Sequence, residues 1–417
     1  MLEFKGCWLE VKLEAQSPMI HFQANKGHPG VTVRASEVKP KLDKFLIRKL
    51  QKRDGIQNVE QIKKKYSSFF IDSTHNALNY KMKMEMGQHQ QSSLIDLSSG
   101  KKYKYELYYG NLGKEGDEKK MGVLSNPSVL IFCVIADLRI LIQEYIIEFF
   151  IVTNFGAMQN KGFGSFLPNS CKYASVLKTE QEKEIAEYLL EDIVDSMKNR
   201  RNCKKSCYSI CFNEIRQNSR ENKNADYVEM FKEINRFYKL VKSGYCFQGK
   251  YIESYIHKYM HQKNIGNETE WMEQQGLSFV RNKSDCMTAL KTGQKKDWKY
   301  VRAMLGTSEK LDGAVKVSSF DKEIERVSSP IYFKVIKNVV FIVAREIQEK
   351  IYGLEYRFWN RDAHKEGRLK TPDEFDIDEF LEKYVDYYNN LLKNKNSGIK
   401  GKREVEVVKC VTISELQ

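Results

Sequence analysis

Three glycines within nine residues, at positions 156, 162 and 164, directly follow the most apolar stretch of this chain. That stretch, residues 123–152, is interrupted by four charged residues, more than a membrane span of about 20 residues tolerates. It therefore predicts a buried element, with a helix over residues 138–152 that ends at the glycines. Because glycine tolerates backbone angles that other residues avoid, the chain either turns sharply here or approaches another group closely.

Strand patterns lie towards both ends of the chain, with helical patterns between them. Residues 2–15 alternate between apolar and charged side chains, as in a half-buried strand. Residues 180–263 have helical periodicity with few glycines and prolines, which predicts a helical block. Further strands are predicted at 315–320, 331–336, 339–344 and 405–413, and an amphipathic helix at 378–393. This mixture predicts an α+β protein.

The chain of 417 residues is about twice the usual length of a single domain. We expect one domain over residues 1–170 and a second over residues 171–417, in which the helical block precedes further strands. The alternative is a single domain that carries a large helical insertion.

Composition narrows the class of partner and the compartment. The formal charge of +14 favours a polyanion, either nucleic acid or an anionic membrane surface. No secretory signal is evident at residues 1–4, and the nine cysteines are an odd number. These features predict free thiols in a reducing cytoplasm. Because the charged residues within 123–152 argue against a membrane anchor, we expect no membrane partner.

The glycine segment does not fit the common nucleotide-binding motifs. A P-loop needs Lys-Ser/Thr after its last glycine, and a dinucleotide fingerprint opens a helix, whereas this segment follows one. It is either a structural turn or a loop whose main-chain N–H groups approach a phosphate. Lys161 would add charge, and Phe163 would either pack inward or offer a stacking face to a base.

Three stretches of the sequence resemble RAMP proteins of CRISPR systems. Gly156-Ala157, a polar run and then Gly162-Phe163-Gly164-Ser165 resemble the family's glycine-rich loop. Residues 17–22 (SPMIHF) and 33–40 (VRASEVKP) resemble the family's opening, in which a strand leads to the first helix; Ser36 would cap that helix, or it would begin near Pro40. Residues 325–334 (ERVSSPIYFK) resemble a run in larger RAMP subunits of the Cmr type.

The resemblance implies ferredoxin-like (RRM-like) domains, two in number, with the helical block between or inserted in them. The nearest comparison is the first subunit of the Cmr complex, a type III CRISPR effector. It implies an RNA-binding subunit that holds crRNA, or its duplex with target RNA, by backbone contacts in prokaryotic antiviral defence, with other effector subunits as partners. The implied RNA-binding residues are Arg34, Ser36, Lys39 and Lys41 on one side, and Gly156, Lys161, Gly162, Phe163, Gly164 and Ser165 on the other.

Two other function classes remain open at this stage. A metal-free CRISPR RNA-processing endoribonuclease would use His21 or His28 as a general acid or base. A protein scaffold would contact only neighbouring subunits. We assign no catalytic residue, metal ligand or cofactor.

Three further residue groups each have a functional and a structural interpretation. Cys203, Cys207 and Cys211 recur every four residues, which on a helix gives either three ligands of a zinc or iron–sulfur site or a buried face. His257 and His261 have metal-ligand spacing, but we expect a solvated helix face. Residues 356–361 combine aromatic and cationic side chains, as in a single-strand binding surface or an amphipathic core helix.

Overall fold

The computed structural model describes residues 2–20, 32–86, 93–96, 121–173, 176–197, 204–212, 223–247, 250–277, 297–307, 310–311, 315–321, 327–394 and 406–414. The α-helices are α1 Ala35–Asp54, α2 Val59–Lys65, α3 Ala136–Val152, α4 Thr179–Ser196, α5 Lys223–Lys242, α6 Tyr255–Gln262, α7 Glu268–Gln274 and α8 Ile377–Lys393. The strands are β1 Trp8–Ala15, β2 Lys81–Glu85, β3 Ser93–Asp96, β4 Met121–Leu124, β5 Ser128–Phe132, β6 Phe166–Pro168, β7 Lys204–Cys211, β8 Tyr245–Phe247, β9 Lys250–Ile252, β10 Ile265–Gly266, β11 Asp297–Trp298, β12 Lys310–Leu311, β13 Val315–Ser319, β14 Ile331–Ile336, β15 Val339–Ala344, β16 Glu355–Asn360, β17 Lys365–Lys370 and β18 Val407–Ser414.

The first sheet has the strand order β2-β5-β1-β6, and all its pairings are antiparallel. Its strands and the two helices α1 and α3 follow one another as β1, α1, β2, β5, α3, β6, with α2 and the hairpin β3-β4 as additions. In β1 the apolar Leu9, Val11 and Leu13 are buried, which confirms the strand predicted from alternation. α1 and α3 pack on this sheet and on each other, and their apolar residues form one core with it.

The second sheet repeats this plan with the order β14-β15-β7-β18, again antiparallel. Its elements follow as β7, α5, β14, β15, α8, β18. Every residue of β14 and β15 is buried. One face of these strands packs on the core of the first sheet with α1 and α3, and the other face packs on α5 and α8. Strands covered on both faces need continuous apolar runs. The predicted hairpin across Lys337 and Asn338 is confirmed, with Lys337 at φ 52°.

A third sheet has the strand order β12-β13-β16-β17. β12 and β13 come from the connection between α5 and β14, and β16 and β17 come from the connection between β15 and α8. Residues 356–361 were expected to form a helix if they belonged to the core, but residues 355–360 form β16 instead. Tyr356 and Phe358 are buried against Tyr300 and Trp271, whereas Arg357 and Trp359 point to the other face. The alternation follows from the two-residue period of a strand.

The first helix begins earlier than the sequence suggested. α1 starts at Ala35 after Arg34, which makes no side-chain cap, so the predictions of a cap at Ser36 and a start near Pro40 are wrong. Pro40 lies inside the helix on its exposed side. Proline lacks an N–H, so one bond of the helical ladder is lost there.

The predicted helical block over residues 180–263 is interrupted by β7, so the cysteine stripe does not lie on a helix. Cys207 and Cys211 occupy this strand, one buried and one exposed, and Cys203 falls outside the described residues. Residues four apart on a strand are separated by about 13 Å, too far for shared ligation of one metal ion. Within the described ranges no group of three or more His, Cys, Asp or Glu residues is placed to hold a metal.

Candidate nucleic-acid interface

A pocket of about 680 Å³ lies where the glycine segment meets α5 and the two ends of the β14-β15 hairpin. It is lined by residues 158–161, Tyr238, Lys242, Met304, Gly306, Thr307, 327–330, 345–348, Lys350 and Ile351. Two of the three stretches that carry the family resemblance therefore form adjoining walls of one cavity.

Hydrogen bonds join those two walls. The Asn160 side-chain amide donates to the carbonyl of Ser329 at 3.0 Å, and the N–H of Phe333 donates to the carbonyl of Asn160 at 3.0 Å. Lys161 also forms a parallel bridge with Phe333. The loop thus runs beside β14 like a short extra strand, which fixes the wall that carries Lys161.

The described lining is strongly cationic. It contains Lys161, Lys242, Arg345 and Lys350 against one carboxylate, Glu346. Such an excess of positive charge in a concave surface attracts anions and concentrates the field.

Two of these lysines lie around one aromatic ring. Lys161 Nζ is 4.5 Å and Lys242 Nζ is 5.8 Å from the centroid of Tyr238. Burial lowers the pKa of Lys161 to about 7, helped by repulsion from Lys242 and Lys239. Burial, together with repulsion from Arg302, lowers the pKa of Lys242 to about 7. A bound phosphate would restore the charged form of both ammonium groups.

Arg345 in the pocket lining is held against an aromatic ring. Its guanidinium lies 3.6 Å from the ring centroid of Tyr332, and Nη1 lies 3.4 Å from Oδ1 of Asn160. A planar guanidinium presents paired N–H donors in the geometry that phosphate oxygens accept. The stacking on Tyr332 reduces the entropy that Arg345 would lose on binding an anion.

The three glycines direct their N–H groups to protein acceptors. The N–H of Gly156 donates to Glu37 Oε1 at 2.8 Å, that of Gly164 to the carbonyl of Pro18 at 2.9 Å, and that of Gly162 to the carbonyl of Gln159. The idea that these N–H groups hold a phosphate therefore does not match the geometry. Close packing explains the glycine at 164, since a Cβ there would lie 1.8 Å from the carbonyl oxygen of Phe155.

The end of the segment joins the two halves of the protein. Ser17 Oγ donates to the carbonyl of Gly162 at 2.7 Å and accepts from the N–H of Ser165 at 2.9 Å. Ser165 Oγ donates to the carbonyl of Val335 at 2.6 Å. Phe163 packs inward and stacks on Phe231 of α5 at 4.0 Å between ring centroids, so it does not offer a face to a base.

The residues predicted on α1 divide into two groups. Lys41 Nζ donates to Glu37, to the carbonyl of Asn154 and to Gln159 Oε1, each at 2.9 Å, so it supports the glycine segment. Lys39 instead donates to Asp43 at 2.7 Å and to the carbonyl of Leu78. Arg34 and Ser36 are exposed at the start of the helix. Of the four, Lys41 alone contacts the segment through a bond that the structure describes.

Lys242, Arg345 and Lys350 were not among the predicted site residues. One signal for Lys242 was available: it stands four residues after Tyr238 and therefore on the same helical face, which is apolar and buried. A lysine on such a face needs a partner or a function. Arg345 and Lys350 lie on the connection after β15 and carried no local signal.

Both histidines contact carboxylates of α7. His257 is buried, with Nε2 3.1 Å from Oε1 of Glu268, and His261 Nε2 lies 3.0 Å from Glu270. The expectation of a solvated helix face is therefore wrong for His257. His21 and His28 of the endoribonuclease alternative lie outside the described residues. In the part of the chain that the structure describes, none of the helices has the length and apolar character to cross a membrane.

Comparisons with known proteins bear on identity. A family model described as the Cmr1 N-terminal domain matches residues 6–245, and one described as the Cmr1 C-terminal domain matches residues 251–406. Among solved structures, that of Cmr1 from Pyrococcus furiosus in its apo form is 11% identical, with a TM-score of 0.42 over 91% of this chain and 96% of that chain. No curated protein matches the sequence. The N-terminal match alone spans more than half of the residues, so the chain belongs to the Cmr1 family of type III CRISPR effector subunits.

Proposed function

We propose that this subunit binds RNA, and that the cationic pocket is where it holds the backbone of crRNA or of the crRNA–target duplex. The observation that carries the proposal is the ratio of four basic side chains to one carboxylate in a cavity walled by the glycine segment and the Ser328-Ser329-Pro330 stretch. Phosphate attraction supplies most of the sequence-independent affinity of proteins for nucleic acids. A subunit that must accept any guide needs contacts of this kind.

The chemistry of the pocket suits a ribonucleotide backbone. Lys161 and Lys242 would act as point charges on one phosphate, and Arg345 would bind phosphate oxygens in pairs. The hydroxyl and amide groups of Ser328, Ser329 and Gln159 are suitable partners for a ribose 2′-hydroxyl. Because both lysines have a pKa near 7 without RNA, binding takes up protons and strengthens as the pH falls from 8.5 to 6.5.

The proposal includes two ferredoxin-like domains of the RAMP type. The strand orders β2-β5-β1-β6 and β14-β15-β7-β18, each with a helix after the first and third strands, support this interpretation. The boundaries remain those predicted, residues 1–170 and 171–417, with the third sheet as an insertion. The basic pocket supports crRNA and target RNA as partners. Membership of the Cmr1 family supports other effector subunits as partners.

The test is RNA affinity across a salt series for wild type and for Lys161→Met with Lys242→Met. Methionine keeps the length and apolar stem of each side chain but removes the charge. The control is Lys172→Met, which removes the same type of charge from an exposed lysine paired with Glu184. Circular dichroism checks that each variant folds. A substitution at Gly164 is unsuitable, because any Cβ there collides with the backbone.

We expect the double variant to bind RNA more weakly and with a shallower dependence on salt. Because Lys161 and Lys242 share one phosphate, their loss reduces the slope of log K against log[salt] by about 0.7 for a single strand, whereas the control leaves it unchanged. Binding that is unchanged in the double variant refutes the pocket. Absence of RNA binding by the wild type itself favours the scaffold alternative.

A further inference from the structure

We propose that the open face of the third sheet is a second RNA site, which binds single-stranded RNA by stacking bases on Trp359 and Phe320. This site shares no residue with the pocket. It would bind the unpaired bases of RNA, whereas the pocket would bind the phosphate backbone. It stands whether or not the pocket binds RNA.

Both rings are exposed, although most large apolar side chains in the described ranges are buried. Trp359 is 41% and Phe320 is 43% exposed. Each ring has a guanidinium against it: Arg357 lies 5.1 Å from the ring centroid of Trp359, and Arg368 lies 4.7 Å from that of Phe320. An aromatic ring beside an arginine offers both a stacking surface and a phosphate contact at the same point.

The strand register spaces the two rings along the sheet. Lys316 pairs with Trp359 and Ser318 with Arg357 across β13 and β16, and the N–H of Phe320 donates to the carbonyl of Glu355. The rings are therefore four residues apart in the strand direction, or about 13 Å. Arg357 lies on the same face between them. A single strand of RNA laid along β16 would meet a ring, a cation and a ring in succession.

The charge of this face is complementary to RNA. Its described cations are Lys316, Arg357, Arg368 and Lys370, and its carboxylates are Glu355 and Glu366. Glu366 pairs with Arg357, and Glu355 lies 3.7 Å from Arg368. Four cations against two carboxylates leave a net charge of +2 on the described part of the face. A hydrophobic partner protein would be poorly matched to such a surface, because charged residues are depleted at the core of protein interfaces.

The opposite face makes the platform rigid. Trp271 and Tyr300 pack there in edge-to-face contact with Phe358. A Cβ at Gly367 would lie 2.6 Å from the Trp271 ring, so the glycine allows this close packing. The core of the sheet is thus complete without Trp359 and Phe320. Single-stranded RNA is the ligand to which such a platform is suited, since bases in a duplex are already stacked and unavailable.

The experiment measures binding of a ten-nucleotide oligouridine by the full chain, and of the same strand annealed to its complement. The variants are Trp359→Leu, Phe320→Leu and the pair combined. The matched control is Trp8→Leu, a tryptophan of the first sheet that is 54% exposed. The titrations are made at low and at high salt, because stacking persists when phosphate attraction is screened.

Each ring substitution should weaken single-strand binding by at least about fivefold, which is the low end of the range for base stacking. Duplex binding and the Trp8→Leu control should change by less than twofold. Equal affinity of wild type and the combined variant for oligouridine overturns this inference, whether or not the face contacts another protein. A failure of the proposed pocket function can be distinguished from this result, because it would appear as an unchanged salt slope in the double variant Lys161→Met with Lys242→Met.

Discussion

Removal of the buried cation at Lys242 should stabilise the protein at low pH, and this gain should shrink as the pH rises. The substitution is Lys242→Met. In the wild type Lys242 is 6% exposed, and its Nζ donates to the carbonyl of Gly306 at 2.7 Å. The variant loses that bond, which costs about 1 to 3 kcal/mol at every pH, but it no longer buries a charge.

The pH dependence follows from the pKa of this lysine. In the unfolded chain the lysine keeps its proton up to a pH near its ordinary pKa of 10.5, whereas in the folded protein it loses the proton around pH 7. Between these two values the unfolded state binds more protons, so the free energy of unfolding of the wild type rises with pH. One such group adds up to about 1.4 kcal/mol per pH unit, or roughly 2.7 kcal/mol between pH 6 and pH 9.

The assay is urea unfolding of wild type and variant at pH 6, 7.5 and 9. Subtracting the two free energies at each pH removes the contributions of titrating groups that do not interact with Lys242. Lys161 does not cancel, because loss of Lys242 also relieves the repulsion that lowers the pKa of Lys161, and this adds to the difference in the same direction. The difference should favour the variant at pH 6 and shift by about 2 to 3 kcal/mol towards the wild type at pH 9. Lys172→Met, on the surface, should give a difference that stays constant over this range. Parallel curves for wild type and Lys242→Met would refute the buried-cation reasoning, and with it the electrostatic description of the pocket.

Two further predictions concern the glycine segment and its neighbours. Gly164→Ala should reduce the free energy of unfolding by about 3 to 5 kcal/mol through its clash with Phe155, whereas Gly55→Ala, at a similar φ but with open space around it, should cost only about 1 to 2 kcal/mol. Equal losses in chemical denaturation would contradict the clash. Ser17→Ala should cost about 2 to 4 kcal/mol, because it removes two buried hydrogen bonds. Ser36→Ala, at an exposed position in the first turn of α1, should cost less than about 0.5 kcal/mol in the same measurement, and a larger loss would contradict the assignment of Ser36 to the solvent-exposed face.

The sequence predicted the elements whose side-chain periodicity matches their burial. β1 alternates cleanly because only one face of its strand is buried, and the β14-β15 hairpin is recognisable by two apolar runs around a polar turn. α8 was predicted within one residue at its start because its apolar stripe is strong. β7 was mistaken for part of a helix, because burial on both faces removes alternation and its cysteines happen to recur every four residues.

Only one wall of the pocket could be predicted from the sequence. Lys161 was identified through the glycine segment, but its neighbours come from distant parts of the chain: Arg345, for example, contacts a residue 185 positions away. Such proximity results from tertiary packing, which local patterns do not encode. The glycines themselves were recognised for the wrong physical reason, since close packing rather than phosphate contact requires them.

The hydrogen bonds between the two sheets also determine when the pocket can form during synthesis of the chain. Ser165 donates to Val335, which is 170 residues later in the chain. At a synthesis rate of about 5 to 20 residues per second, the ribosome needs roughly 10 to 30 s to cover that distance. During this interval the first sheet can already fold, while residues 327–330, which form the pocket wall beside the glycine segment, have not been made. A nascent or truncated chain therefore lacks the pocket, and only a finished subunit can present it to RNA.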